Sequence, residues 1–237
     1  GKIAPAFSSA LAPRGACVIP ASIDKQFNPK TVGPGDDSTL TITIGNSGQA
    51  ALTGVNVTDN LVAPLVVGNA SQITNTCVGG TLTATAGASV ISLAGASAPI
   101  GGCQLTVPVR WPVANAAECV APNNSRTNTI TSGTDFTTDQ GHLNAVTTDT
   151  LTCEAGSLSV SKHVDWQPGS VQSDLSGTAY PMVVNCTSAS GDVQSTRFTS
   201  ETVDASGIGT QTITHVVTSG TCTVSETTRP AAPLNHQ

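Results

Sequence analysis

Aromatic and charged side chains are both scarce in this chain of 237 residues: Phe, Trp and Tyr make up 3% of it, and Asp, Glu, Lys and Arg together 10%. With two Trp and one Tyr, a platform for stacking sugars is poorly supplied. The nine Lys and Arg are scattered singly and the net charge is −6, so no basic patch exists to follow a phosphate backbone, which argues against nucleic-acid binding. No apolar run approaches the roughly 20 residues that a membrane-spanning helix requires. Nor does a basic stretch lead into an apolar one as in a signal peptide, so the sequence reads as a processed chain, soluble or assembled, with no membrane insertion. Helix formers such as Glu, Lys and Met are rare, and sustained helical periodicity is absent. The histidines, His142, His163, His215 and His236, are far apart, and neither a Gly-x-Ser-x-Gly elbow nor a Gly-rich phosphate loop accompanies them. Nucleophilic catalysis lacks its parts, and the expectation is a protein that is not an enzyme and carries no cofactor beyond a candidate calcium ion.

What the sequence does contain is Thr, Val, Ser and Ala in short apolar runs broken by 23 Gly and 14 Pro, the composition of an all-β protein. Seven cysteines, Cys17, Cys77, Cys103, Cys119, Cys153, Cys186 and Cys222, include no close C-x-x-C pair of the zinc or redox type. Disulfides and an oxidising, extracellular compartment follow. Among the acidic residues, Asp36-Asp37 and the pair Asp135 and Asp139 lie in oxygen-rich loops that could hold calcium, with solvated turn aspartates as the plainer alternative. Four N-x-S/T sequons, at Asn56, Asn69, Asn123 and Asn185, would matter only in a eukaryotic secretory pathway.

Alternation marks the strands. Ile19, Ala21, Ile23, Lys25 and Phe27 share one face before the breaker Asn28-Pro29-Lys30. After the turn Gly33 to Asp37, the segment Ser38 to Asn46 sets Leu40, Ile42 and Ile44 on one face and Thr39, Thr41 and Thr43 on the other, a half-buried strand with a threonine-rich outside. Asn46-Ser47-Gly48 turns into Leu52, Val55 and Val57, and Thr58-Asp59-Asn60 leads into the apolar run Leu61 to Val67. Further strands fall around Gly80 to Ala86, Ser89 to Leu93 and Cys103 to Trp111, at the spacing of a sandwich.

The run from Phe27 through Asn46, then Leu52-Thr-Gly-Val-Asn-Val-Thr-Asp59, Thr76-Cys77-Val-Gly-Gly80, Gly102-Cys103-Gln-Leu-Thr-Val107 and Thr127-Asn-Thr-Ile130, resembles the bacterial surface repeat called domain of unknown function eleven. The resemblance covers about residues 18–153 and implies an immunoglobulin-like sandwich on a bacterial exterior with no catalytic residues. The stretch Ala114 to Ser125, with Cys119, reads as an insertion to that pattern. From about residue 156 to 230, alternating Leu158, Val160, Lys162 and Val164, the apolar Tyr180 to Cys186 and the closing Thr221-Cys-Thr-Val-Ser-Glu-Thr227 resemble the collagen-adhesin B-type surface domains. That resemblance implies one further strand after Glu226, where the tail instead carries two prolines, so the second sandwich is expected to lack its last strand. It also implies a lysine–asparagine isopeptide bond promoted by an acid, for which Lys162, Asn235 and Glu226 are the candidates; the place of Asn235 near the end of the sequence and the disulfide expected in this sandwich argue against it.

Spacing and the first resemblance favour the pairs Cys77–Cys103 and Cys186–Cys222, with Cys119–Cys153 as the natural third. Cys17 is left over for an intermolecular pair or a free thiol. The sequence around Cys17 is similar to that around Cys153, so both read as junctions where one sandwich ends and the next begins, with a frayed terminal arm as the alternative for Cys17. The organisation expected is therefore an N-terminal arm at 1–16, a first sandwich at 17–154 and a smaller second sandwich at 155–237. In the arm, Ile3, Pro5, Phe7, Ser9 and Leu11 alternate with small residues, the period of an extended strand suited to insertion into a neighbour. The function expected is a structural subunit of an extracellular bacterial filament or surface stalk, joining copies of itself head to tail by donor-strand insertion. The alternative is a monomeric surface adhesin or stalk fragment that binds a glycan or protein through its loops.

Overall fold

The structure is a computed structural model, which describes residues 19–164, 177–199, 203–204 and 207–227. It is 56% strand and 5% helix, and among the described residues the helix consists of two short 3₁₀ segments, Ala70–Gln72 and Val113–Glu118. The all-β class follows from the chain's β-branched alternation, because Val, Ile and Thr fit a pleated, half-buried surface better than a helix.

Twelve strands build the first unit. In chain order they are β1 (Ser22–Asn28), β2 (Thr31–Val32), β3 (Asp37–Gly45), β4 (Leu52–Asn60), β5 (Val66–Val67) and β6 (Thr74–Asn75). Then come β7 (Thr81–Thr83), β8 (Val90–Ala98), β9 (Cys103–Arg110), β10 (Ser125–Thr131), β11 (Phe136–Thr137) and β12 (Val146–Cys153). One sheet has the order β1-β3-β9-β5, with β6 also on β9; a second runs β11-β4-β8-β7; a third runs β10-β12-β2. In the first sheet, antiparallel register places Phe27 opposite Leu40 and Leu40 opposite Val107, and Ile42 opposite Leu105. Period-two alternation thus gathers Leu40, Ile42, Ile44, Leu105 and Val107, all at 0% exposure, on the face toward Ile91, Leu93, Ile130 and Leu151 of the other two sheets. This is one continuous apolar core between sheets, the construction of a sandwich.

Among the described residues five strands build the second unit: β13 (Gly156–His163), β14 (Pro181–Thr187), β15 (Val193–Thr199), β16 (Ile208–Val216) and β17 (Thr221–Glu226). A pair β13-β16 faces the sheet β15-β14-β17 across a separate core of Val160, Tyr180, Met182, Val184, Val203, Ile213 and Val216. The insertion-like stretch after Trp111 becomes the 3₁₀ segment Val113–Glu118, whose Val113 packs against this second core. The expected N-terminal extended strand, with Ile3, Pro5, Phe7, Ser9 and Leu11, and the odd Cys17 lie outside the described residues.

Candidate functional site

Three disulfides hold the described chain: Cys77–Cys103, Cys119–Cys153 and Cys186–Cys222, with sequence separations of 26, 34 and 36. The first ties the loop after β6 to the start of β9, the second anchors the 3₁₀ segment to the end of β12, and the third staples β14 directly to β17 at opposed register positions. On a chain-entropy estimate each contributes about 3 to 4 kcal/mol by restricting the unfolded chain.

The loop that joins β2 to β3 forms the joint between the units. Ser188 Oγ donates to the Gly35 carbonyl at 2.8 Å, Ala189 N–H donates to Asp36 Oδ1 at 3.1 Å, and Asp37 N–H donates to Ser190 Oγ at 2.9 Å. Ser219 Oγ donates to Asp36 Oδ2, and Arg110 pairs with Asp192 across the same joint. Gly35 takes φ +81°, and a Cβ there would come within 2.9 Å of the Asp192 Cβ. A glycine is therefore needed both for the backbone turn and for the close approach.

The carboxylates expected as candidate calcium ligands each meet protein donors. Asp36 and Asp37 are committed to the joint, Asp135 accepts from the Thr131 N–H at 2.9 Å, and Asp139 accepts from Thr53 Oγ at 2.8 Å. Their carboxylates answer protein donors in separate places. Among the described residues no group of three or more His, Cys, Asp and Glu is placed to hold a metal ion, whereas calcium needs six to eight oxygens around one point.

Among the described residues, β17 is one of the edge strands of the second unit. Among the described residues β17 pairs only with β14, and all six of its residues are exposed. Val224 is 48% exposed although its cross-strand partner Val184 is at 2%. Nearby, Lys162 Nζ lies 2.9 Å from Glu226 Oε2 and 5.0 Å from the Tyr180 ring centroid; Asn235 lies outside the described residues.

The first core encloses a polar cluster. Lys25 on β1, Asp59 on β4 and Asn128 on β10 come from three different sheets, and Asp59 and Asn128 are at 0% exposure. Lys25 Nζ lies 2.6 Å from Asp59 Oδ2 and 2.5 Å from Asn128 Oδ1. Asn128 Nδ2 donates to the Asn60 carbonyl at 3.3 Å, which turns Oδ1 toward the amine. Burial pushes the Lys25 amine below the usual lysine range, with the attraction of Asp59 offsetting only part of it. Burial likewise pushes the Asp59 carboxyl up against the opposing effect of Lys25. Both directions favour an uncharged amine beside an uncharged acid. Alternation had put Lys25 on the inward face of its strand without giving it a role. Asp59 was expected only in the lead into the run Leu61 to Val67, but it continues the buried period Val55, Val57, Asp59 of β4. That unbroken period of two was the signal available in the sequence.

No curated protein matches this chain. Among solved structures, it is similar to the bacterial hydrophobin BslA at 11% identity, covering 59% of this chain and 98% of that one, with a TM-score of 0.35. It is similar to the full-length major pilin SpaD of Corynebacterium diphtheriae at 17% identity and a TM-score of 0.36, covering 89% of this chain; it spans 57% of the pilin. An adhesin of Mobiluncus mulieris containing intramolecular disulfide, isopeptide and ester cross-links is 13% identical, with a TM-score of 0.27 over 88% of this chain and 81% of that one. The β-sheet unit that encloses Lys25, Asp59 and Asn128 coincides with a family model matching residues 21–153, and the chain belongs to that family, described as Domain of unknown function (DUF7933).

Proposed function

We propose that this chain is a non-enzymatic structural subunit of a bacterial extracellular filament or surface stalk. Copies join head to tail, the N-terminal segment of one adding a strand beside β17 of the next. The observation that carries the reading is β17 itself, an edge strand with every residue exposed and an inward-facing Val224 left half uncovered. An edge of that kind presents a row of backbone donors and acceptors, and an added strand would satisfy them while covering the apolar side chain.

The sequence carries a matching donor. Ile3, Phe7 and Leu11 would share one face of an inserted strand, and their burial would contribute roughly 5 to 9 kcal/mol before ordering costs. Pro5 removes one ladder donor and restricts the register to one in which its nitrogen faces a gap. Because donor and acceptor sit on different parts of one chain, the contact is heterologous, and with a rotation that does not close into a ring it propagates as a fibre. Three disulfides suit the oxidising exterior that such a fibre would occupy.

Negative-stain microscopy of the full chain, of a deletion of residues 1–12 and of Phe7→Asp tests this reading. Uniform fibres from the full chain and their loss in both variants are expected. Fibres that persist at the same rate in both variants overturn donor-strand insertion, and isolated rods from the full chain point instead to a monomeric adhesin or stalk.

A further inference from the structure

We propose that the first unit carries an intramolecular isopeptide cross-link, an amide between Nζ of Lys25 and Cγ of Asn128, formed with Asp59 as the proton-transfer group. It is independent of the filament reading, since it concerns one chain and one core.

The geometry carries it. The Lys25 amine is within 2.5 Å of the carboxamide oxygen of Asn128, one bond from the carbon it would attack. The Lys25 and Asp59 side chains are both at 0% exposure, so water is kept from a nucleophile that would otherwise be hydrated and protonated. Three strands hold the groups in place. Lys25 is fixed between Ile23 and Phe27 on β1, Asp59 by the β4–β8 ladder and Asn128 by the β10–β12 ladder together with its bond to the Asn60 carbonyl. Such fixed placement of nucleophile and electrophile replaces an improbable encounter with a single intramolecular step.

A plain buried ion pair accounts for the cluster less well. An ammonium has three protons to place and an ionised carboxylate two oxygens to satisfy. Here Lys25 Nζ meets two acceptors, and Asp59 Oδ1 has no hydrogen-bond partner among the described residues. Charged groups left so poorly paired at this depth would be strongly destabilising. A neutral amine beside a protonated acid removes most of that difficulty, and burial pushes both groups toward those forms. The amide removes the rest, because it abolishes the titratable amine and leaves Asp59 as a neutral acid free to donate to the new carbonyl.

The step balances without any co-reactant. The Nζ lone pair of the neutral amine adds to Cγ of Asn128, and Asp59 protonates Oδ1 as charge develops there. A proton then passes from Nζ through Asp59 to Nδ2, the Cγ–Nδ2 bond breaks, and ammonia leaves while Asp59 returns to its acid form. Primary amine plus carboxamide becomes secondary amide plus ammonia. The product joins strands 103 residues apart in the chain, which neither first-unit disulfide does.

Mass spectrometry of the full chain after reduction and unfolding tests the assignment. The wild-type protein is expected to be lighter than its sequence by one ammonia, and proteolysis is expected to yield a branched peptide holding both Lys25 and Asn128. Asp59→Asn and Lys25→Arg are expected to restore the full sequence mass. A wild-type chain at full mass overturns the proposal whatever the variants do. A loss of ammonia with Lys25 and Asn128 on separate peptides overturns it in favour of a succinimide at Asn128, and a loss of water overturns it in favour of a Lys25–Asp59 amide. Full cross-linking in Asp59→Asn overturns the role given to the acid.

Discussion

Arg110 on β9 grips Asp37, its cross-strand neighbour on β3, with two arms of its guanidinium: Nε is 2.7 Å from Oδ1 and Nη2 is 3.1 Å from Oδ2. The same side chain reaches the Ser190 carbonyl at 3.1 Å and pairs with Asp192, so one fork spans both units. A bidentate pair of this kind is planar and directional, which fixes an angle between the groups as well as a distance.

Arg110→Met keeps the aliphatic stem and removes the fork. The expected outcome is a loss of about 1 to 3 kcal/mol, felt mainly as earlier melting of the second unit. Calorimetry that resolves the two units checks it, and an unchanged second transition would show that the hydrogen bonds of Asp36, Ser188 and Ala189 hold the joint alone.

Asn46 shows how a residue that reads as a turn can be a core fixture. Its Nδ2 donates to the carbonyls of Ala50, Ala98 and Pro99 at 2.9, 3.1 and 3.1 Å, and its Oδ1 accepts from the Gly48 N–H at 3.0 Å. Asn46→Ala leaves several of these backbone groups unpaired near the core and is expected to lower stability by about 2 to 3 kcal/mol in urea unfolding. A change below about 0.5 kcal/mol would mean that water takes over the contacts.

The legible and illegible parts of this fold divide along a physical line. Strand β3 could be read directly, because Leu40, Ile42 and Ile44 alternate with threonines and period two has no other interpretation. Strands β15 and β16 were not read, since Val193, Gln194, Ser195 and the Thr-rich run before His215 give little apolar contrast. The joint was hidden for another reason: Gly35, Asp36 and Asp37 look like any solvated turn, and their role depends on Ser188 to Asp192 some 150 residues later. Asp59 was given no place in the core because aspartate ordinarily marks a turn. A charged residue at the buried phase of a strand becomes intelligible only when its partners on two other strands are known.

Acid is expected to weaken the bridge between β1 and β12 at Asp149. Burial tends to raise this carboxyl's pKa, but bonds from Lys30 Nζ at 2.7 Å and the Phe27 N–H at 2.7 Å, with a further one from Thr150, hold it below the usual carboxylate range. A folded-state value below the unfolded one means that the unfolded chain binds the proton more readily. The stabilisation is therefore complete above about pH 5 and fades as the pH falls below about 4. Melting of wild type and Asp149→Asn from pH 6 down to pH 3 checks this: the gap between them is expected to narrow with acid. A gap that stays constant across the range would show that Asp149 acts through its shape alone.

The three disulfides are expected to differ in their resistance to a small thiol. Cys77, Cys103, Cys119 and Cys153 are all buried, whereas Cys222 lies exposed on the edge strand β17, and thiol exchange depends on access to the disulfide. Brief treatment of the folded protein with dithiothreitol, followed by alkylation and peptide mapping, is expected to label Cys186 and Cys222 first. Earlier labelling of Cys77 or Cys119 would mean that the first unit opens more readily than its core suggests.

Val224 separates the stability of one copy from the joining of two. It stands on the edge strand with 48% of its surface exposed, while Val184 opposite is at 2%. Val224→Lys therefore removes little buried area within a single chain, and the long stem of lysine can carry its charge out to water. Its effect on the melting temperature of the isolated chain is expected to be small, in the range of about 0.5 kcal/mol found for surface changes. An added strand beside β17 would instead trap that ammonium against the apolar face of the incoming segment, a device by which natural edge strands resist pairing. Fibre formation is thus expected to fall steeply in Val224→Lys while the melting temperature stays near that of wild type. Val224→Thr, which keeps the branched shape without the charge, is expected to assemble at close to the normal rate. If Val224→Lys assembles as readily as wild type, β17 is not the receiving edge, and the proposed joint must lie elsewhere on the second unit.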